Sequence, residues 1–304
     1  MKARYISLKP FLLWRQAGRS IDWRQEFGRD APLEIEIGFG NGDFLVRRAE
    51  AYPERNFVGI EVEWPSVRRA LRRIAQAELG NARLLMVDAQ IALERVFLPR
   101  SLHRVYALFP CPWPKERQAK YRLFSHDFLR LLNNRLVKGG EAQVVTDHRA
   151  YLDWVLEQVP GCGFEFRCQE IPPRYGTKYE NKWHRQGQEQ FFELNFLKIE
   201  HIATPGLQEI IIAPARVSGF DPERFQPADQ LGDITVQFKE FLYDPDWQKG
   251  MVRVIIVEGH MIQHLWIEIV WDGGGWRICP SPGCANVYTA GLRRALELVC
   301  EAAA

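Results

Sequence analysis

The chain has 304 residues, of which 46% are hydrophobic and 26% are charged, a balance typical of globular proteins. No stretch approaches the roughly 18 consecutive apolar residues of a membrane span, and the N-terminal residues lack the apolar core of a signal peptide. The six cysteines are scattered without the paired spacing of zinc sites, so we predict neither a metal nor a disulfide. We therefore expect a cytoplasmic protein with no membrane partner.

The net charge of +2 is unevenly distributed along the chain. Residues 1–200 contain 32 Lys and Arg against 25 Asp and Glu, which gives +7. The remaining residues contain 8 against 13, which gives −5. A polyanionic partner should therefore contact the first two thirds of the chain.

From about residue 33, short apolar runs alternate with longer amphipathic segments. The apolar runs predict strands at 33–39, 56–62, 82–89, 104–110 and 141–147. The amphipathic segments predict helices at 43–52, 66–79, 126–136 (ending at residues 138–140) and 150–159. This alternation predicts a Rossmann-like α/β fold, a mostly parallel sheet with helices on both faces. Two further strands, expected to be antiparallel, close the sheet at 163–172 and 190–199.

The pattern changes near Pro205, after which four strand-like segments joined by hairpin turns precede one helix at 286–302. We predict an N-terminal extension over 1–32, an α/β domain over 33–204 and a small α+β domain over 205–304. No motif gives the last domain a role. Pairing with another copy to form a homodimer, or covering a sheet edge, are the two roles we consider for it.

The segment Glu36–Gly42 follows the first predicted strand and carries glycines at alternate positions: Gly38, Gly40 and Gly42. Such glycines let the backbone turn tightly and approach a ligand closely. The dinucleotide fingerprint requires a third glycine three residues after the second, and Asp43 occupies that place. A carboxylate directly before the turn suits a cationic amino group and would repel a pyrophosphate. The pattern therefore favours S-adenosylmethionine over a dinucleotide.

Carboxylates also occur where the next two strands are predicted to end. Glu61 lies 25 residues after Glu36 and could accept hydrogen bonds from both ribose hydroxyls of an adenosine. Asp88, followed by Ala89, could accept a hydrogen bond from the adenine amino group. The alternative for both is an acid in solvent at a strand end. Open parallel sheets bind ligands at the carboxyl ends of their strands, which favours the binding role.

The fourth strand leads into Pro110–Lys115, where two prolines flank Cys111 and favour a rigid, extended backbone. Trp113 offers a flat surface for stacking a base, or is a core tryptophan. Four cations occur within eight residues here: Lys115, Arg117, Lys120 and Arg122. A second basic helix face carries Arg68, Arg69, Arg72 and Arg73. Both sets predict phosphate contacts, the alternative being an ordinary solvated face.

Polar groups also follow the fifth strand, at Thr146 and Asp147, and recur in the run Thr177, Lys178, Tyr179 and Glu180. Carboxylates can accept hydrogen bonds from the amino and imino groups of guanine, and a lysine suits a phosphate. An ordinary surface loop is the alternative for this run.

Taken in order, these motifs resemble the bacterial tRNA (guanine-N7)-methyltransferase family, whose hallmarks are EIGFGxG, GIEV, DA, PDPWxKxRxxKxR, TD and TKxE. The match covers roughly residues 33–199. The resemblance implies a class I S-adenosylmethionine-dependent methyltransferase that modifies N7 of a tRNA guanine, position 46 of the variable loop. It implies donor contacts from Glu36, the turn glycines, Glu61, Asp88, Ala89 and Cys111. It implies substrate contacts from Lys115, Asp147 and Thr177–Glu180, and RNA contacts from residues 117–122.

Three features depart from the family pattern. Cys111 stands where the family has its catalytic aspartate, Pro114 replaces a histidine, and residues 205–304 lie outside the common core. N7 of guanine carries no proton, so the transfer needs no general base. Loss of a charge-stabilising carboxylate would cost on the order of 3 kcal/mol, or about a hundredfold in rate, unless Asp147 or Glu180 compensates.

Three hypotheses follow from the sequence. The first is an active tRNA methyltransferase in which Cys111 and Asp147 occupy the catalytic positions. The second is a tRNA-binding protein that has kept the fold and lost catalysis. The third, a methyltransferase for another RNA or for a protein, is disfavoured by the basic segment 115–122.

Overall fold

The computed structural model describes residues 5–17, 20–206, 210–284 and 286–304. The chain divides into two units, the first comprising Met1–Trp14 with Arg19–Gly206 and the second Arg15–Gly18 with Leu207–Ala304. Within the described ranges, no helix has the length and apolar character needed to cross a membrane.

The first unit contains eight strands and seven α-helices in its described part. In chain order these are β1 (Phe11–Leu12), α1 (Trp23–Phe27), β2 (Leu33–Ile37), α2 (Asp43–Ala51), β3 (Asn56–Glu61), α3 (Trp64–Gln76), β4 (Ala82–Met86), α4 (Ala89–Arg95), β5 (Leu102–Leu108), α5 (His126–Arg135), β6 (Leu136–Thr146), α6 (Arg149–Gln158), β7 (Phe164–Ile171), α7 (Lys178–Arg185) and β8 (Phe191–Lys198). A short 3-10 helix, Glu116–Tyr121, lies between β5 and α5.

These strands form one sheet in the order β1-β4-β3-β2-β5-β6-β8-β7. Neighbours from β1 to β6 are parallel, whereas β8 is antiparallel to both β6 and β7. The predicted mostly parallel sheet and its antiparallel closing strands are therefore confirmed. All five residues of β2 are buried at the centre of the sheet, as expected for a strand covered on both faces.

One face of the sheet is covered by α2 and α3. Leu45 of α2 and Leu71 of α3 pack with Phe57 of β3 in one buried cluster. The apolar residues of α3 recur at helical spacing, and its four arginines lie on the exposed side. This division follows from a helix with one apolar stripe.

Several element boundaries differ from the sequence prediction. The strand predicted over 82–89 ends at Met86, and Asp88 caps α4, accepting from the N–H groups of Gln90 and Ile91 at 2.9 and 3.2 Å. Asp88 and Ala89 therefore do not end a strand, because an aspartate satisfies the free N–H groups of a helix start well. The residues 138–140, predicted to end a helix, lie inside β6, which begins directly after α5.

The second unit contains β9 (Ala215–Val217), β10 (Ile234–Asp244), β11 (Lys249–Glu258), β12 (Met261–Trp271), β13 (Trp276–Pro280) and α8 (Ala290–Ala303). The strands form an antiparallel sheet in the order β10-β11-β12-β13-β9. Leu292 and Val299 of α8 share its buried core with strand residues such as Ile267. The predicted small α+β domain is confirmed, although α8 begins at Ala290 rather than at 286.

Candidate active site

The turn between β2 and α2 has a left-handed backbone at all three of its glycines, with φ of 71° at Gly38, 55° at Gly40 and 76° at Gly42. A Cβ added to Gly38 or Gly40 would meet nothing within 4 Å, so backbone conformation alone explains these two glycines. A Cβ on Gly42 would lie 2.8 Å from the Cβ of Ala70 in α3. Gly42 therefore also permits the close approach of α2 to α3.

Glu61, the last residue of β3, holds this turn in place. Its Oε2 accepts a hydrogen bond from the N–H of Gly40 at 3.0 Å, and its Oε1 accepts from the N–H of Val62 at 2.8 Å. Two predicted donor-binding motifs, far apart in the sequence, thus meet at the carboxyl edge of the sheet.

Glu36 lies inside β2 and is only 3% exposed. Its Oε2 is buried and has no hydrogen-bond partner among the residues that the structure describes. Burial raises the pKa of Glu36 to about 8, with smaller contributions from Asp43 and Glu61, while the Leu45 N–H and Arg47 act in the opposite direction. A buried carboxyl oxygen without a hydrogen-bond partner is unfavourable, and a cationic group would satisfy it.

The segment after β5 has a strained backbone on both sides of Cys111. Phe109 and Trp113 have φ of 59° and 43°, a left-handed conformation that non-glycine residues rarely adopt. The thiol-bearing residue is exposed between them. Strain of this kind persists only where surrounding contacts impose it, and it concentrates at functional sites. Trp113 is half-buried, and its ring centroid lies 5.4 Å from that of Tyr121.

Arg122 supplies one of those contacts. Its Nε donates to the carbonyl oxygens of Pro112 and Trp113 at 3.1 and 3.3 Å, and its Nη2 donates to Trp113 at 3.2 Å. The guanidinium carbon lies 5.1 Å from the ring centroid of Trp154 in α6, a cation–π distance. Arg122, expected from the resemblance to contact RNA, is thus directed at its own chain. The other three cations, Lys115, Arg117 and Lys120, are exposed.

Thr146 ends β6, and its Oγ1 accepts from the N–H of His148 at 3.1 Å. Asp147 follows directly and is half-buried. His148 caps α6 by accepting from the N–H of Tyr151 at 3.1 Å. Asp147 therefore lies in the turn at the carboxyl end of β6, the edge of the sheet that also carries the glycine turn.

The run Thr177–Glu180 begins α7. The Oγ1 of Thr177 caps the helix by accepting from the N–H of Glu180 at 3.2 Å. Glu180 is 1% exposed, and its Oε1 accepts from the N–H groups of Arg174 and Tyr175 at 2.8 and 3.0 Å. Lys178 and Tyr179, in contrast, are exposed. The predicted substrate run thus divides into two exposed side chains and two that bond to the chain itself.

A groove of about 560 Å³ joins the glycine turn to this run. Asn41 and Asp43 line one side, and the other carries Gly176 and residues of α7, including Lys178 and Lys182. Asp43 forms an ion pair with Arg73 of α3 at 2.9 Å, so one arginine of the basic face adjoins the groove. Sequence reasoning did not select Arg47, Trp154 or Glu193, which carry no motif of their own. In the structure they contact Tyr175, Arg122 and Arg174, respectively.

Comparison with known proteins places this arrangement in a family. A family model described as "Putative methyltransferase" matches residues 30–193. A tRNA (guanine-N(7)-)-methyltransferase of Chlorobium phaeobacteroides is 46% identical over 183 residues, covering 60% of this chain and 90% of the relative. Proteins of the same name from Thermus thermophilus and Aquifex aeolicus are 38% and 30% identical, covering 80% and 88% of this chain and 79% and 93% of the relatives. The last two matches must extend past residue 206 into the second unit.

Proposed function

Because the chain belongs to the tRNA (guanine-N7)-methyltransferase family, we infer that it transfers a methyl group from S-adenosylmethionine to N7 of a guanine in tRNA. The observation that carries this inference is the shared groove. It joins the glycine turn, beside which Glu36 has an unpaired buried oxygen, to the exposed Lys178. No observation favours the catalytically impaired alternative.

The residues around the turn fit the methyl donor. The unpaired Oε2 of Glu36 would accept a hydrogen bond from the ammonium group of the methionine moiety. The space over Gly38 and Gly40 is open. Glu61, the last residue of β3, would accept hydrogen bonds from the ribose hydroxyls. Asp88, which precedes α4, would accept a hydrogen bond from the adenine amino group. When bound, S-adenosylmethionine supplies a methyl group activated by its sulfonium charge. We propose no metal in this site.

The chain's own contribution to the reaction is alignment and charge. N7 of guanine has a free lone pair, so no residue needs to remove a proton. Alignment of the base against the donor can supply several kcal/mol of the acceleration. The segment around Cys111 is held for this purpose by its prolines and by Arg122. We propose that Asp147 stabilises the positive charge that develops on the base, since Cys111 replaces the family's carboxylate.

The exposed cations are proposed to bind the RNA backbone. Lys115, Arg117 and Lys120 follow the catalytic segment, and Arg68, Arg69 and Arg72 face solvent on α3. Such contacts release counterions, so the affinity for tRNA should fall steeply with salt. A tRNA substrate implies a cytoplasmic enzyme. Self-association into a homodimer, through the second unit or the sheet edge, stays a prediction.

The test uses purified protein, labelled S-adenosylmethionine and unmodified tRNA transcripts. After digestion, label is expected in 7-methylguanosine. A transcript with adenine in place of guanine at position 46 of the variable loop is the matched control, and it should take up no label. Binding of tRNA without any label in the product would refute the proposed activity. Label in both transcripts would refute the proposed position.

A further inference from the structure

Glu180 is surrounded by backbone donors. Its Oε1 accepts from the N–H groups of Arg174 and Tyr175, and its Oε2 accepts from the N–H of Gly176. Three consecutive peptide groups therefore point at one carboxylate that is 1% exposed. The resemblance assigns Glu180 to the substrate, yet a tRNA base would have to displace these bonds or enter a space closed to solvent.

The segment Arg174–Thr177 has further attachments. Arg47 of α2 donates from its Nη2 to the carbonyl oxygen of Tyr175, and a Cβ on Gly176 would lie 3.4 Å from that same Nη2. On the other side, Glu193 of β8 accepts from the guanidinium of Arg174 and from the hydroxyl of Tyr175. Side chains of α2, α7 and β8 thus hold three consecutive residues, Arg174, Tyr175 and Gly176.

We propose that Glu180 and Arg47 are positioning residues. Together they fix the segment Arg174–Thr177 in the free enzyme, so that Lys178 and the groove beside it are preformed before tRNA binds. The proposal rests on the proposed function only where tRNA is concerned. It replaces a base-contacting role for Glu180 with a role in the protein's own backbone.

The geometry gives this segment a place between the two halves of the site. Gly176 lines the groove opposite Asn41, which belongs to the glycine turn. Arg47 lies on α2, the helix that directly follows the glycine turn. A segment ordered in advance spares the conformational entropy that binding would otherwise cost, and it keeps the reacting groups aligned. Disorder of the segment Arg174–Thr177 should therefore raise the KM for tRNA more than the Kd for the methyl donor.

Hydrogen exchange of the free protein, without tRNA or donor, tests the proposal directly. Glu180→Gln keeps the size of the side chain but turns one acceptor oxygen into an NH₂ donor facing a backbone N–H. We expect exchange of the amides of Arg174, Tyr175 and Gly176 to accelerate at least tenfold. Glu189→Gln, which neutralises an exposed carboxylate after α7, should leave it within twofold.

Arg47→Met provides a second perturbation of the same segment. It should also accelerate exchange at these amides, and the double variant should show less than the product of the two single effects, because both act on one unit. In kinetics, Glu180→Gln should raise the KM for tRNA about tenfold and leave the Kd for S-adenosylmethionine within twofold.

Three results would overturn the proposal. If Glu180→Gln left exchange at residues 174–176 unchanged but caused a large loss of activity, Glu180 would act by contacting the substrate. Acceleration spread equally over β2, β3 and β5 would show that Glu180 stabilises the whole unit. Multiplicative effects of the two variants would show that they act on separate elements. The exchange measurement needs no active enzyme, so failure of methylation alone would count against the proposed function and not against this segment.

Discussion

Replacing Glu36 by glutamine should uncouple donor binding from pH. In the free protein this carboxyl is 3% exposed, and burial raises its pKa to about 8. At pH 7 it is therefore about nine-tenths protonated. An ammonium partner binds the ionised form, so donor binding must release the proton. For each unit by which the pH is lowered below 8, the affinity for S-adenosylmethionine should fall roughly tenfold.

The same carboxyl makes the free protein more stable in acid. Its pKa when folded, about 8, lies above its ordinary value of 4.5, so the folded state binds the proton more tightly. The resulting stability is fully present below pH 4.5 and is lost as the pH rises through 8, by an amount on the order of 5 kcal/mol. Glutamine resembles the neutral carboxyl, so Glu36→Gln should abolish this contribution to the pH dependence.

Two measurements check the prediction between pH 6 and 7.5, where most of the donor's own amino group keeps its proton. Calorimetric titration in buffers of different ionisation enthalpy should show release of nearly one proton at pH 7 by the natural protein and none by Glu36→Gln. The variant should bind the donor about 10- to 100-fold more weakly at pH 7.5, the value of a charged hydrogen bond. Thermal unfolding at the same pH values reports the stability.

Glu63→Gln, which neutralises an exposed carboxylate just after β3, is the matched control and should keep the natural protein's pH dependence. A natural protein whose donor affinity is constant from pH 6 to 7.5, without proton release, would refute the reasoning. So would a Glu36→Gln variant that binds as tightly as the natural protein.

Three further predictions concern the rest of the site. Arg122→Ala should lower kcat about tenfold or more without changing the salt dependence of tRNA binding, because its guanidinium holds carbonyl groups; Arg117→Ala should instead weaken binding and reduce the salt slope by about 1. The reverse pattern would contradict these roles. Cys111→Asp should raise kcat, by up to about a hundredfold; a fall would show that the thiol serves the reaction. Gly42→Ala should lower the free energy of unfolding by about 1–3 kcal/mol more than Gly28→Ala, since both have positive φ but only Gly42 would meet Ala70; equal losses in thermal unfolding would contradict this.

Most of the fold was predictable from the sequence, because its strands are short and largely apolar and its longer helices carry apolar residues at helical spacing. The length of the run LEIEI and the glycine turn that follows it predict a strand, and this strand lies at the centre of the sheet. The meeting of Glu36, Glu61 and the glycine turn follows from parallel topology alone. Short helices were missed: α4 and α7 have 7 and 8 residues, too few for a periodic pattern to distinguish them from loops.

What the sequence could not predict is the direction of each polar side chain. Glu180 and Arg122 fit the same motifs whether they face RNA or their own backbone. Their hydrogen bonds join them to backbone groups of Tyr175 and Trp113, which the motifs do not indicate. Similarly, nothing in the residues around Arg47 indicates that it reaches Tyr175, which lies 128 positions further along the chain. Composition and spacing select some of the participants, such as Glu180 and Arg122, and only the assembled fold identifies their partners.

The close contact at Gly42 also sets a distance for the RNA. Since a Cβ there would lie 2.8 Å from the Cβ of Ala70, α2 and α3 approach each other more closely than a residue with a side chain at position 42 would allow. The arginines on the outer side of α3 therefore lie at a fixed distance from the glycine turn, the proposed binding site of the methyl donor. A larger residue at position 42 would push α3 away from the turn and would change this distance.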